Sequence, residues 1–267
     1  MAINLEGVGL SLADAMEAVK SGDSSARYYA AWYLGHLKSP ESVDVLIWAL
    51  QDDRDRTELG GYPLRRRAAE ALGRIGDLRA VPPLLEALDC PDIYVRDAVV
   101  WALGELGDLE AIPPLLTLLK AETEQPNETL IETLGRLAQK AKSEPSSDKQ
   151  ASDASQLTEI ESAIREYLGH RSERVRCAAA RTLYMFTGED QYGQLIMGSL
   201  RHPDVHVRRG AAFDLAEIAY FPAASAIAKA DLTNNLKVHT LKRMVDLSPD
   251  KDSDALEGLL AVIATLI

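Results

Sequence analysis

Residues 63–88, PLRRRAAEALGRIGDLRAVPPLLEAL, return at 94–119 as YVRDAVVWALGELGDLEAIPPLLTLL. Gly73, Gly76, Asp77, Pro82 and Pro83 recur as Gly104, Gly107, Asp108, Pro113 and Pro114, each 31 positions on. A unit of this length cannot bury its apolar face alone and must stack on a neighbour, so the period constrains the fold more than any other feature. Upstream, ARYYAAWYLGHLKSPESVDVLIWAL (26–50) fits the same template at an offset of 38, and downstream NETLIETLGRL (127–137) keeps the spacing of 31 through Gly135. ERVRCAAARTLYMF (173–186) and VHVRRGAAFDLAEIA (205–219) match each other at 32, and NLKVHTLKRMVDL (235–247) is a fainter last copy.

Each unit reads as two helices. The first, VRxxAAxAL, opens on an aspartate cap (Asp23, Asp92 or Asp204) and closes on Gly-Asp. The second, AVPPLLEAL, carries proline in its first turn, where no amide is needed. No segment alternates as a strand. The expected fold is all-α: a curved solenoid of six to seven helix pairs of the HEAT-repeat type. Two stretches interrupt it. QDDRDRTELGGY (51–62) lengthens one turn, and the polar run 139–157 has too few apolar residues to order itself and reads as a flexible loop. One continuous solenoid is thus expected, with N-terminal repeats over 1–138, the loop, and C-terminal repeats with a terminal cap over 158–267.

Aligning the units separates constant from free positions. Ala30, Ala31 and Leu34 match Val99, Val100 and Leu103, then Ala179, Ala180 and Leu183, and read as core. An arginine recurs as Arg27, Arg65, Arg96, Arg176 and Arg208. Its period is that of the repeat, which points to a ladder tying repeats together rather than to a ligand stripe. Five positions per unit vary and share one helix face, expected to line the concave side. In the N-terminal units they hold Tyr28, Tyr29 and Trp32; Tyr62, Arg66, Arg67 and Glu70; Tyr94, Asp97, Ala98 and Trp101; and Thr129. In the C-terminal units they include Arg174, Cys177, Ala178, Arg181 and Phe213. Only 6% of residues are aromatic, yet six rings fall on the free face of three successive units. Interleaved with Arg66, Arg67, Glu70 and Asp97, they suit a flat conjugated ligand or a partner's helix, with arginines to grip carboxylates.

Much chemistry is excluded. The net charge of −12 argues against nucleic acid. No apolar run is long enough for a membrane span, and the N-terminus lacks the basic start of a secretory signal. Cys90 and Cys177 form no CxxC pair, which fits a cytoplasmic protein with reduced thiols. The five histidines make no HExxH motif, and His202 and His206, four apart, have Pro203 and Asp204 between them at a helix start, so no metal site is expected. There is no phosphate-binding glycine loop and no nucleophile elbow. The apolar C-terminal run LEGLLAVIATLI either caps the stack or meets a second chain.

At YYAAWYL (28–34), GGYPLRRRAAEALG (60–73) and DIYVRDAVVWALGELGD (92–108) the sequence resembles the phycobilin lyase family of HEAT-like proteins, and within it the E-type subunits of E/F-type lyases. The resemblance implies an enzyme, a carbon–sulfur lyase. It would pair with a homologous F-type subunit and reversibly attach phycocyanobilin, as substrate, through a thioether to a cysteine of apo-phycocyanin α. No tightly bound cofactor is implied. A sister pair acts on phycoerythrocyanin α, and a non-catalytic adaptor for phycobiliproteins is the other alternative. On this reading Tyr28, Tyr29, Trp32, Tyr62, Tyr94 and Trp101 hold the tetrapyrrole. Arg66 and Arg67 pair its propionates, and Asp97 or Glu70 handles the proton of thiol addition.

Overall fold

The computed structural model describes residues 11–121, 123–143, 150–248 and 254–266, and among them all regular structure is helical. The chain divides into two compact units, 1–148 and 149–267. The first holds α1 (Leu12–Ser21), α2 (Ser24–Leu37), α3 (Val43–Gln51), α4 (Pro63–Ile75), α5 (Val81–Glu86), α6 (Ile93–Leu106), α7 (Ile112–Leu119) and α8 (Asn127–Ser143). The second holds α9 (Gln150–Glu166), α10 (Glu173–Thr187), α11 (Asp190–Gly198), α12 (Val205–Glu217), α13 (Ala224–Lys229), α14 (Asn234–Leu247) and α15 (Asp254–Ala264). In each unit the repeat supplies three helix pairs, and the long first helices α2, α4, α6 and α8 stack in order in the first.

The local causes are those the repeat encodes. The Asp23, Asp92 and Asp204 carboxylates accept the backbone N–H groups of Ala26, Tyr94 and His206 at 2.8, 2.9 and 2.8 Å, satisfying donors that a helix start leaves orphaned. Gly76 and Gly107 close α4 and α6 in the left-handed region (φ 79° and 67°), where a side chain would be strained. Ala30, Ala31, Leu34, Val99, Val100, Leu103, Ala179, Ala180 and Leu183 are all buried. The first helices approach closely: a Cβ on Gly73 would lie 2.8 Å from Ala102 Cα, and one on Gly35 2.7 Å from Ala71 Cα.

The recurrent arginine is a structural ladder. Arg96 donates to the Cys90 carbonyl before its own helix and to the Glu124 carbonyl before the next, both at 2.7 Å. Arg208 does the same with Pro203 and Asp231 at 2.7 and 3.0 Å, and Arg176 binds the His170 carbonyl at 2.6 Å. Arg27, 2% exposed, donates to the Val19 carbonyl at 2.9 Å and meets two carboxylates, Asp52 at 2.8 Å and Asp55 at 2.7 Å. The insertion at 51–62 therefore does more than lengthen a turn: it supplies the counter-charges of a buried guanidinium. Burial pushes the Asp52 carboxyl up, but hydrogen bonds from Arg27 and Arg54 outweigh it and hold the group below the usual carboxylate range.

The loop expected at 139–157 is largely helix. α8 runs through Ser143 and α9 starts at Gln150; residues 144–149 lie outside the described ones. Helix-favouring Gln, Lys, Ala and Glu sustain both ends, and each helix has an apolar stripe, Leu137, Ala138 and Ala141 on α8 and Ile160, Ala163 and Ile164 on α9. Within 139–157, Ala141 is the buried apolar residue among the described side chains; the stripes that flank the run carry its ends as helix. At the C-terminus, Leu256, Leu259 and Ile263 of α15 are buried against α13 and α14, so the apolar run caps its own stack. In the second unit the Tyr220 ring lies on Gly193 and its hydroxyl donates to Asp190 at 2.5 Å. Burial, then that bond, push the phenol up to about 12, so it stays protonated.

Candidate functional site

The free positions of α2, α4 and α6 meet in one linked row. The Arg67 guanidinium lies over the Tyr28 ring, 4.4 Å from its centroid, and donates to the Tyr28 hydroxyl. Glu70, one turn on, takes Arg67 on one carboxylate oxygen and Arg66 on the other, the latter at 3.2 Å. Arg66 reaches Tyr94 on α6, with its guanidinium 6.0 Å from the ring centroid. Tyr29 packs edge-on against Tyr28 at 5.5 Å. The sequence of contacts is Tyr29, Tyr28, Arg67, Glu70, Arg66 and Tyr94. Tyr29 and Tyr94 are each 66% exposed, so the row is open to solvent at both aromatic ends.

Two features of the row are compatible with a ligand. Large rings stand exposed while the Ala-Ala-Leu positions beneath them fill the core. Within the row, Arg67 Nε is a buried donor with no acceptor among the described residues. A buried N–H left unpaired is costly, and an acceptor brought by a ligand would relieve that cost. Two open clefts among the described residues lie elsewhere, one lined by Arg65, Cys90 and Pro91, the other by Met197 and Lys229.

The remaining predicted residues are placed differently. Trp32 is half-buried and stacks flat on His36, one turn on, at 5.6 Å and 9°. Trp101 is half-buried as well; its ring edge sits where a Gly73 side chain would project, 3.0 Å from an ideal Cβ. The two tryptophans are thus anchored platforms rather than free side chains. Tyr62 ends up at the start of α4, its ring carrying Arg65 at 4.3 Å and Arg56 at 5.7 Å. Both Glu70 oxygens are occupied by arginines, which makes it a holder of guanidiniums. Asp97, in contrast, accepts one hydrogen bond, from the Thr129 hydroxyl of α8 at 2.5 Å.

Three free-face assignments are corrected: Ala98, Cys177 and Ala178 are buried. Varying between copies is not the same as facing solvent, and side chains this short do not reach past the turns that flank them. Cys177 Sγ lies 3.3 Å from Ser199 Oγ, and burial pushes its thiol up, away from the reactive thiolate. In the second unit Arg174 and Arg181 clamp the buried Asp214 at 2.9 and 3.0 Å. No helix of the described residues is long and apolar enough to cross a membrane.

Comparison with known proteins agrees with this picture. The family model for HEAT repeats matches residues 11–89 and 61–135. Phycocyanobilin lyase subunit alpha of Nostoc sp. is 42% identical over 91% of this chain and 86% of that protein. Its counterpart from Microchaete diplosiphon is 41% identical over 95% and 87%. This chain belongs to the phycocyanobilin lyase alpha-subunit family. A further relative of this lyase-family chain is the bilin biosynthesis protein PecE of Nostoc sp., 39% identical over 91% of the chain and 90% of the relative. Among solved structures, the complex of CpcE and CpcF of phycocyanin lyase from Nostoc sp. PCC7120 matches 100% of this chain and 98% of the other at TM-score 0.75 and 39% identity.

Two residues that contact the predicted ones are not singled out by the sequence. His36 supports Trp32, and only its spacing of four residues on one helix hinted at it. Thr129 stood among the free positions of its unit, but nothing in one sequence pairs it with Asp97 across two helices.

Proposed function

We propose that this chain is the alpha subunit of a two-subunit lyase that joins phycocyanobilin, by a reversible thioether, to a cysteine of the phycocyanin α subunit, with a CpcF-type chain as its partner. The observation that carries the reading is the linked row on α2, α4 and α6. It has exposed tyrosines at both ends, two guanidiniums between them and a buried Arg67 donor that awaits an acceptor. A bilin is long, flat and conjugated and carries two propionates, so its rings stack on Tyr28, Tyr29, Tyr94, Trp32 and Trp101 while Arg66 and Arg67 take carboxylates. The near-complete overlap with CpcE in its complex with CpcF supports the partner.

The reaction is an addition. Sulfur bonds to one carbon of the bilin's exocyclic double bond, the π bond breaks, and the proton released by the thiol is returned to the conjugated system. No group leaves and nothing is oxidised. The chain's contribution is to hold the double bond toward the incoming thiol and to move one proton. Asp97 suits the proton role, since among the described residues its carboxylate is engaged by one hydroxyl, that of Thr129; Glu70 sets the arginines. Co-expression with a CpcF-type partner, bilin-synthesis enzymes and apo-phycocyanin α should yield covalent chromophore on a denaturing gel, dependent on both subunits. Binding of apo-phycocyanin without any change in the bilin spectrum would instead identify an adaptor.

The similarity to PecE supports a second reading for the acceptor alone, phycoerythrocyanin α in place of phycocyanin α. Offering both apo-proteins in one reaction and comparing their labelling rates separates the two.

A further inference from the structure

α8 is pinned to α6 by a stripe of donors on one face. Thr133 Oγ1 lies 3.3 Å from the Val100 carbonyl, Arg136 donates to Glu105 at 2.5 Å, and Lys140 donates to the Gly107 carbonyl at 2.9 Å. The fourth member, Thr129, is one turn before Thr133 and donates to Asp97 Oδ1 at 2.5 Å. The spacing of four, three and four residues keeps all of them on one side of the helix. The earlier first helices meet differently, glycine on alanine: Gly35 on Ala71 and Gly73 on Ala102. Three contacts thus fix the register of α8 on α6 independently of Thr129, and the register brings a hydroxyl to Asp97, which lies three residues after Tyr94 and so shares its face of α6.

We infer that Thr129 is a positioning residue for the bilin-attachment reaction, holding Oδ1 of Asp97 so that Oδ2 is presented to the pyrrole N–H groups of the ligand. This rests on the role given to Asp97 above. A carboxylate on a free helix face samples several rotamers; one short hydrogen bond from a β-branched, χ1-restricted threonine selects a single orientation. Thr129 itself does not reach the ligand. Its loss therefore slows the proton-moving step and leaves bilin uptake, set by the rings and arginines, in place.

The test uses the complete chain with its CpcF-type partner, phycocyanobilin and apo-phycocyanin α, and measures the rate of covalent attachment against bilin concentration. Thr129→Val keeps the shape and removes the donor; it should lower the rate at saturating bilin about tenfold, with half-saturation within about twofold of the parent. Thr129→Ser restores the donor and should recover most of the rate. Combining Thr129→Val with Asp97→Asn should be no slower than Asp97→Asn alone. Thr133→Val, on the same stripe, should lower the melting temperature without slowing attachment. If Thr129→Val does not fold, Thr129→Ala carries the same comparison. Parental rates in Thr129→Val, a failure of serine to rescue, or a change confined to half-saturation would each overturn the inference. Parental rates in Asp97→Asn would overturn the reading of Asp97 itself, whereas a slow Asp97→Asn beside a normal Thr129→Val removes only Thr129.

Discussion

Gly73→Ala is the sharpest probe of how packing sets the row. The added Cβ would lie 2.8 Å from Ala102 Cα, 2.9 Å from Ala102 Cβ and 3.0 Å from the edge of the Trp101 ring. Contacts under 3.0 Å are essentially never seen, so α4 and α6 must part by a few tenths of an ångström, and the obstacle is backbone that cannot rotate away. Overpacking of this kind costs about 1–3 kcal/mol. In a chain of this size that lowers the melting temperature by roughly 2–4 °C per kcal/mol. The same separation draws Arg66 on α4 from Tyr94 on α6 and tilts Trp101, so bilin binding should weaken by more than the stability loss alone explains. The assay pairs a circular dichroism melt with a visible-absorption titration of phycocyanobilin at a temperature where all variants are folded. Leu103→Ala is the comparison: fully buried, it should cost about 2–5 kcal/mol through a cavity while leaving the row's side chains in place. If Gly73→Ala melts with the parent and titrates identically, the two helices are not in the tight contact described. If Leu103→Ala loses as much bilin binding as Gly73→Ala, general loosening explains the effect and the geometry of the row does not.

Tyr29→Ala and Tyr94→Ala should weaken bilin binding by about tenfold each, a stacking contribution of about 1 kcal/mol or more per ring, with melting temperatures unchanged because both rings stand in solvent. Trp32→Ala and Trp101→Ala should also weaken binding but lower the melting temperature measurably, since each ring is half-buried on His36 or Gly73. Asp52 has a depressed carboxyl, so its stabilisation is complete above the unfolded value of about 4 and is lost as pH falls through the folded one; melts from pH 6 to about 3 should show an acid loss that is smaller in Asp52→Asn. Cys177→Ala should leave chromophore attachment at the parental rate, because a buried thiol held above its ordinary range is not a bilin carrier; a covalent bilin on this chain that disappears with the substitution would refute that.

The repeat was legible because it is written in residues with one physical use each. Asp23, Asp92 and Asp204 cap helices, Gly76 and Gly107 close them, and alanine pairs fill the space between close-packed helices; each role depends on a few neighbouring positions. The candidate site was half legible. Its aromatic and arginine members stood out because the repeat defines what the core already holds, which left Tyr28, Arg67 and Tyr94 without a packing reason. Their connections depend on distances between separate helices, and here the sequence is silent: it does not tell that Arg67 crosses to Tyr28 or that Arg66 reaches Tyr94. The polar run 139–157 differs for a related reason: its ends are carried as helix by apolar faces that lie outside it, Leu137 and Ala138 on α8 and Ile160, Ala163 and Ile164 on α9, which the composition of the run does not reveal. Glu70 carries the consequence furthest. In the sequence it is an acid near a conjugated ligand and reads as a proton donor; in the structure both of its oxygens are spent on Arg66 and Arg67. A carboxylate so engaged would have to release two guanidiniums to take a proton, whereas Asp97 would have to release one hydroxyl. On that difference rests the proposed division of labour, in which the acid of α4 shapes the electrostatics of the row and the acid of α6 moves the proton.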